Sequence, residues 1–118
     1  MNAVLLEILH GSRATGKAGA ASDWDIGVLA EKNLGRDEIF NLKKQLAGKF
    51  GVPEEKIDIA DLRSDSPLLR YQVAVHGKLI QGDPSDFKSF QIRAWKDYLN
   101  NQKFFDLRAK FLNQALHG

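Results

Sequence analysis

The chain has 118 residues, no cysteine and a formal net charge of only +2 at pH 7. This length predicts one domain over residues 1–118, and the absence of thiols excludes disulfides and thiolate metal sites. The charge is too small to indicate direct nucleic-acid binding, and because no apolar run is long enough to span a membrane, we expect a cytoplasmic protein.

The first quarter of the chain predicts two strands joined by a loop. Leu5–Leu9 is a short apolar run, and from Trp24 onward apolar residues recur at every second position. Residues 11–22 lie between them and are rich in Gly, Ala, Ser and Thr, which favours a loop or a loop with one helical turn. We therefore expect the first strand to end at a Gly11-Ser12 turn.

The middle of the chain alternates helical and strand patterns. Arg36–Phe50 keeps helical apolar spacing with acidic residues in its first turn, and Gly51 ends it. Residues 56–62 form a second alternating strand, residues 68–75 read as a helix, and residues 78–80 are a short strand. This order predicts an α/β (α+β) fold with a small sheet covered by helices.

The C-terminal tail, residues 85–118, is predicted to be helical. Asp83-Pro84 is a favourable helix start, and Asn100-Asn101 suggests a break before a last helix. Seven of the eleven aromatic residues lie in this tail, so its stripes supply either core packing or a surface for a partner: Phe87, Phe90, Trp95, Tyr98, Phe104, Phe105 and Phe111.

Two carboxylates in the second predicted strand are candidate functional residues. Asp23 and Asp25 are separated by one residue, and side chains two apart on a strand share a face. Like charges placed side by side are tolerated most readily around a cation, and an all-oxygen ligand set favours Mg²⁺. The alternative is a plain turn, because Ser-Asp pairs favour turns.

A third acid and the Gly-Ser turn extend this constellation. Asp58 lies inside an apolar strand, where a lone carboxylate is expensive, although it could also be a surface residue of an edge strand. Three converging acids suit two-metal phosphoryl or nucleotidyl transfer, with Asp58 completing one metal shell and accepting a proton. Gly11 would allow close approach of phosphates and Ser12 would grip them, whereas Arg13 either touches phosphate or is exposed.

Three neighbouring residues are expected to have structural roles. Ser22 should brace the turn before the acids, and Trp24 should face the core on the side opposite the metals. Asp61 falls on the face opposite Asp58, where a structural or solvent-exposed role is favoured.

These residues resemble a known signature. Gly11-Ser12-Arg13-Ala14-Thr15-Gly16, then Ser22-Asp23-Trp24-Asp25-Ile26-Gly27-Val28, then Ile57-Asp58-Ile59 is similar to the GS, DxD and third Asp of polymerase-β-type nucleotidyltransferases. The length of the chain and the sequence of these motifs resemble the minimal nucleotidyltransferase (MNT) group, and the resemblance covers nearly the whole chain. The resemblance implies the nucleotidyltransferase fold, with a mixed sheet, phosphates at the GS turn and metal at the three acids.

The resemblance also implies an activity and a partner. MNT proteins pair with HEPN-domain ribonuclease toxins and, as antitoxins, transfer AMP from ATP to a toxin tyrosine, which implies ATP as substrate and Mg²⁺ as cofactor here. The family usually has a helix before the first strand, whereas only Met1–Val4 precede it in this sequence. Two alternatives stay open: a catalytically silent module that neutralises its partner by contact, and nucleotidyl transfer to a nucleic acid or small molecule.

Overall fold

The computed structural model describes residues 2–117, apart from the side chains of residues 104, 105 and 117. The strands and helices lie within two residues of their predicted bounds as far as residue 84. In chain order they are β1 (Val4–His10), α1 (Ser12–Thr15), β2 (Trp24–Ala30), α2 (Arg36–Phe50), a 3-10 turn (Glu54–Lys56), β3 (Ile57–Asp61), α3 (Pro67–His76), β4 (Lys78–Gly82) and α4 (Pro84–His117).

The four strands form one mixed sheet in the order β3-β2-β1-β4. The central strand β1 pairs antiparallel with both β2 and β4, whereas β2 and β3 are parallel and joined through α2. A parallel pair needs such a crossover, while antiparallel neighbours do not. This topology confirms the predicted small mixed sheet, and it brings the end of β1 beside the beginnings of β2 and β3.

Helices cover both faces of the sheet, because alternate strand residues point to opposite sides. On one face α2 packs over β2 and β3, with a buried cluster formed by Ile26, Val28, Leu42, Leu46, Ala47 and Ile57. On the other face α3 and α4 pack over β1, with a second cluster formed by Leu6, Ile8, Leu62, Val73, Ala74, Phe90 and Ala94. The sheet is therefore the middle layer of three.

The C-terminal tail differs from its prediction. Asp83 caps the start as expected, since its Oδ1 accepts a hydrogen bond from Ser85 N at 2.7 Å. The predicted break at Asn100-Asn101 is wrong, because α4 runs continuously over Pro84–His117. Asparagine lowers helix stability by only about 0.7 kcal/mol relative to alanine, and no glycine or proline follows Pro84 within the helix to interrupt it.

The aromatic stripes of the tail divide between core and surface. Phe90 is buried against β1, whereas Trp95 and Phe111 are 53% and 70% exposed. The predicted contributions of Phe104 and Phe105 lie outside the described side chains. Between residues 2 and 117, no helix is both long enough and apolar enough to cross a membrane.

Candidate active site

Three strands present polar residues in a row at one end of the sheet. His10, the last residue of β1, is the register partner of Asp25 in β2, and Asp25 is the register partner of Asp58 in β3. Directly paired residues project to the same side of a sheet. Asp25 and Asp58 are therefore paired, as a site of converging acids requires. Both residues project from the face of the sheet that α3 covers.

The three acids differ in exposure. Asp25 is half-buried, whereas Asp23 and Asp58 are exposed. Of the two settings left open for Asp58, the structure shows the surface of an edge strand, because β3 is the edge strand of the sheet and its second residue faces solvent. Burial raises the pKa of Asp25, the nearby charges of Asp58 and Asp23 raise it further, and His10 opposes them. Asp25 thus sits where a cation would be favoured.

The Gly11 turn lies directly against the Asp25 carboxylate. Gly11 has a φ of 71°, which L side chains rarely adopt, and a Cβ built there would overlap the Asp25 Oδ2 atom. The next residue, Ser12, begins the single helical turn α1 and is half-buried. The GS turn and the central acid therefore form one contiguous surface, which only glycine permits.

Two cationic side chains hold the loop that precedes the acids. The Arg13 Nη2 atom donates to the Ser22 carbonyl oxygen at 2.8 Å, and Lys56 Nζ donates to the Ala21 carbonyl oxygen at 3.0 Å. Ser22 Oγ accepts from Gly19 N at 3.0 Å, which confirms that Ser22 braces this turn. Arg13 is thus engaged with the loop, and its contact with phosphate stays a prediction.

Trp24, between the two acids, points away from them as expected. Its ring stacks on Phe50 of α2 with centroids 4.5 Å apart, on the face opposite Asp25. The Arg13 guanidinium lies over the same indole, 4.4 Å from its centroid. Asp61 is structural, because its Oδ2 accepts from Leu34 N at 2.8 Å. Both expectations for these residues are confirmed.

His10 is a site residue that the sequence did not reveal. Its Nε2 is buried and has no hydrogen-bond partner among the described residues. Burial lowers the pKa of His10, while the carboxylates of Asp25, Asp58 and Asp65 oppose that shift. A small cavity of about 190 Å³ adjoins it and also contacts Gly11 and α3. The sequence did not indicate this role for His10, because only the strand register places His10 beside Asp25.

The residues at this end of the sheet fit a hard divalent cation. Asp23, Asp25 and Asp58 offer oxygen ligands only, and the charges of Asp58 and Asp23 add to burial in raising the pKa of Asp25. Within residues 2–117, no group of three His, Cys, Asp or Glu side chains is already arranged to hold a metal ion. The fit therefore rests on the backbone register of Asp25 with Asp58 and on the chemistry of the carboxylate oxygens.

This mixed sheet with its covering helices is the fold of the polymerase-β-type nucleotidyltransferase family. The family model described as "Polymerase beta, Nucleotidyltransferase" matches residues 1–85, so the chain belongs to that family. The fold class and the resemblance inferred from the GS, DxD and third-Asp pattern are thereby confirmed.

Within the family, the chain is similar to proteins named MntA. It is 37% identical over 99 residues to the protein adenylyltransferase MntA of Aphanizomenon flos-aquae, covering 73% of this chain and 63% of that protein. It is 33% identical over 94 residues to the protein adenylyltransferase MntA of Shewanella oneidensis, covering 80% of this chain and 66% of that one. The chain therefore spans slightly less than two thirds of these relatives.

Solved structures give the same relationship. A chain of a toxin–antitoxin crystal structure with AMP-PNP superposes with a TM-score of 0.74 at 28% identity, covering 98% of this chain and 89% of that one. A chain of the tri-AMPylated Shewanella oneidensis HEPN toxin in complex with MNT antitoxin gives 0.65 at 27% identity, covering 96% and 83%. The similarity thus extends over almost the whole chain, including α4.

Proposed function

We propose that this protein is a Mg²⁺-dependent adenylyltransferase that transfers AMP from ATP to a tyrosine hydroxyl of a HEPN-domain toxin, and so acts as its antitoxin. The observation that carries the proposal is the register pairing of Asp25 with Asp58 beside the Gly11 turn. Support comes from the relatives named protein adenylyltransferase and from similar structures that contain AMP-PNP or an AMPylated HEPN toxin.

The residues divide into metal-holding and phosphate-holding groups. Asp23, Asp25 and Asp58 would hold Mg²⁺, which neutralises the triphosphate and lowers the pKa of the attacking hydroxyl. Gly11 presents no side chain, so phosphates can approach the Asp25 edge closely. Ser12 offers its hydroxyl and its backbone N–H at the same turn. The braced loop around Ser22 keeps the acid-bearing segment fixed during this binding.

The reaction is an in-line displacement at phosphorus. The acceptor oxygen forms a bond to the α-phosphorus of ATP, and the bond from that phosphorus to the bridging α–β oxygen breaks. Pyrophosphate leaves with that oxygen from the Ser12 side. The hydroxyl proton passes to the Asp58 carboxylate, which is exposed and thus accessible to a protein acceptor.

The acceptor is tested by peptide mapping. The protein is incubated with ATP, Mg²⁺ and a HEPN-domain toxin, and the modified residue is located by mass spectrometry. We expect AMP on a tyrosine of the HEPN protein with wild type and none with Asp58→Asn. AMP found only on a nucleic acid or small molecule, or unmodified HEPN protein with both variants, would contradict the proposed acceptor.

A second candidate function is neutralisation by contact alone. The observation that favours it is the exposed apolar surface of α4, where Leu107 and Phe111 are 68% and 70% exposed. This function predicts that Asp25→Asn still blocks the toxin in cells. It fails if the variant releases toxicity while a pull-down shows that the complex is retained.

A further inference from the structure

A second concave site lies at the other end of the sheet from the acids. A cavity of about 390 Å³ opens among the end of β2, the residues after β3, and the helices α3 and α4. Its lining residues Leu29 and Leu62 are four positions along the strands from Asp25 and Asp58. At the rise of a β-strand, the two sites are about 13 Å apart.

Three guanidinium groups from three different segments line the cavity. Arg63 follows β3, Arg70 lies in α3 and Arg93 lies in α4, and the carboxylates present are those of Asp86 and Asp97. The lining therefore carries one net positive charge. Arginine forks match the geometry of phosphate and carboxylate oxygens, so this arrangement is suited to an anion.

The arginines are incompletely paired within the protein. Arg70 Nε is buried and has no hydrogen-bond partner among residues 2–117. The Arg70 Nη2 atom is 3.9 Å from Asp97 Oδ2, which is too long for a hydrogen bond. Within the same residues, neither Arg63 nor Arg93 forms a salt bridge. The N–H groups of the exposed Arg63 and Arg93 side chains are thus available to an incoming anion, whereas the Arg70 Nε atom is enclosed by the protein.

The Arg63 side chain is nevertheless held in place. Its Nε donates to the Ala30 carbonyl oxygen at the end of β2, which fixes the base of the guanidinium beside the cavity. The remaining lining is largely apolar, from Leu29, Leu62 and Phe90. A ligand for this site therefore combines an anionic group with an apolar body.

We propose that this cavity binds a small organic phosphate, with the phosphate on the arginine cluster (Arg63, Arg70 and Arg93) and the apolar part against Leu29 and Leu62. The cavity volume lies in the range of small-molecule sites. The three arginines come from three different segments, and a tetrahedral phosphate can accept hydrogen bonds from several directions. The site is separate from the acids, so the inference does not depend on the adenylyltransferase function.

A ligand bound in the cavity would stabilise the packing of α3 against α4. Arg70 and Arg93 lie on those two helices, and the Tyr71 and Tyr98 rings already stack next to the cavity with centroids 4.2 Å apart. A ligand that binds only the folded protein stabilises it, so the melting temperature should rise with ligand concentration.

The test uses the arginine Nε–H signals of the full chain in two-dimensional NMR. The background is Asp25→Asn in EDTA, which removes metal-dependent nucleotide binding. The probes are phenyl phosphate, inorganic phosphate and benzoate, which separate the contributions of the phosphate and the apolar body. We expect saturable shifts at Arg70 and Arg93, with phenyl phosphate binding at least about ten-fold more tightly than the other probes.

Matched variants complete the test. Arg93→Ala should weaken phenyl phosphate at least about ten-fold, whereas Arg108→Ala, an exposed arginine farther along the same helix, should leave it unchanged. Both variants keep a good helix former on the surface of α4, and circular dichroism verifies folding. Shifts that grow linearly without saturation, equal weakening by Arg108→Ala, or saturable shifts confined to the Nε–H signal of Arg13 beside the Gly11 turn would each overturn the proposal. Saturation by an acidic peptide but by none of the probes would also overturn it.

Discussion

Asp25 and Asp58 face each other across the parallel β2–β3 pair, one on an inner strand and one on the edge strand of the sheet. Neighbouring strands lie about 4.8 Å apart, so two carboxylates in this register repel each other unless a cation lies between them. Such a pair therefore lowers the stability of the folded protein as long as no cation is bound.

Removing the half-buried charge should therefore stabilise the protein when divalent ions are absent. We expect Asp25→Asn to raise the melting temperature in EDTA, because burial and the Asp58 charge both disfavour the ionised form of Asp25. Mg²⁺ should raise the melting temperature of the wild type and leave that of the variant unchanged. Asp37→Asn, an exposed acid on α2, is the control. Equal Mg²⁺ responses in wild type and Asp25→Asn would argue against metal binding at Asp25.

The Gly11 turn makes a second prediction. Gly11→Ala places a methyl group on the Asp25 carboxylate and should lower the transfer rate at least about 10²-fold, because displacement of a reacting group by about 1 Å has effects of that size. Gly16→Ala is the matched control, since Gly16 has a φ of 77° with no described atom near its would-be Cβ. It should cost about 1 kcal/mol of stability through backbone strain and keep its activity. Similar activity loss in both variants would show that strain, not contact with Asp25, is responsible.

Arg13 is predicted to position the loop before the acids. Arg13→Ala removes the hydrogen bond to the Ser22 carbonyl oxygen and the stack on Trp24, and should lower the free energy of unfolding by about 1 to 3 kcal/mol. Arg13→Lys keeps the charge but loses the fork, so it should fall between wild type and Arg13→Ala. Lys17→Ala, exposed in the same loop, is the control. Urea unfolding measures the stabilities, and an unchanged Arg13→Ala would contradict this role.

Steady-state kinetics on the same variants address phosphate contact. A higher KM for ATP with unchanged stability would assign Arg13 to the phosphates. Lower stability with unchanged KM would assign it to the loop alone.

Glu7 makes the stability of the protein depend on pH. It is the buried acid of the central strand, only 6% exposed, and burial raises its pKa while Lys49 opposes the shift. Folded protein therefore retains this proton to a higher pH than unfolded chain, so stability falls as pH rises from the unfolded pKa through the raised folded value. Glu7→Gln should remove that part of the decline.

The measurement is the melting temperature between about pH 4 and about pH 8, compared between wild type and variant. Glu55→Gln, an exposed acid of the 3-10 turn, should keep the wild-type slope. If the melting temperature of Glu7→Gln depends on pH as steeply as that of the wild type, ionisation of Glu7 does not destabilise the folded protein.

Local patterns in the sequence were sufficient for most of the fold. Apolar periodicity predicted Arg36–Phe50 to the residue, and period two placed Trp24 on the core side. Long-range register was not accessible, so the position of His10 beside Asp25 was missed. The exposure of Asp58 could not be decided from the sequence, because only the strand order shows that β3 is an edge.

In the helical tail, by contrast, a local sequence signal predicted a break that the structure does not have. Asn100-Asn101 weakens a helix only slightly, and the surrounding residues of α4 continue it, so a local propensity was outweighed by its context. The arginine cluster could not be predicted from the sequence for a different reason. Its members are separated by up to 30 residues along the chain, and only the packing of α3 and α4 brings them together.

The most direct test of the proposed function is the rate of AMP transfer to a HEPN-domain toxin, followed by intact mass, for wild type, Asp25→Asn, Asp58→Asn and the surface control Asp37→Asn. Loss of a general base or metal ligand should lower the rate about 10²- to 10⁴-fold or more in the first two variants. We expect Asp37→Asn to match the wild type. Wild-type rates in Asp25→Asn and Asp58→Asn would contradict the claim that this carboxylate pair performs the reaction.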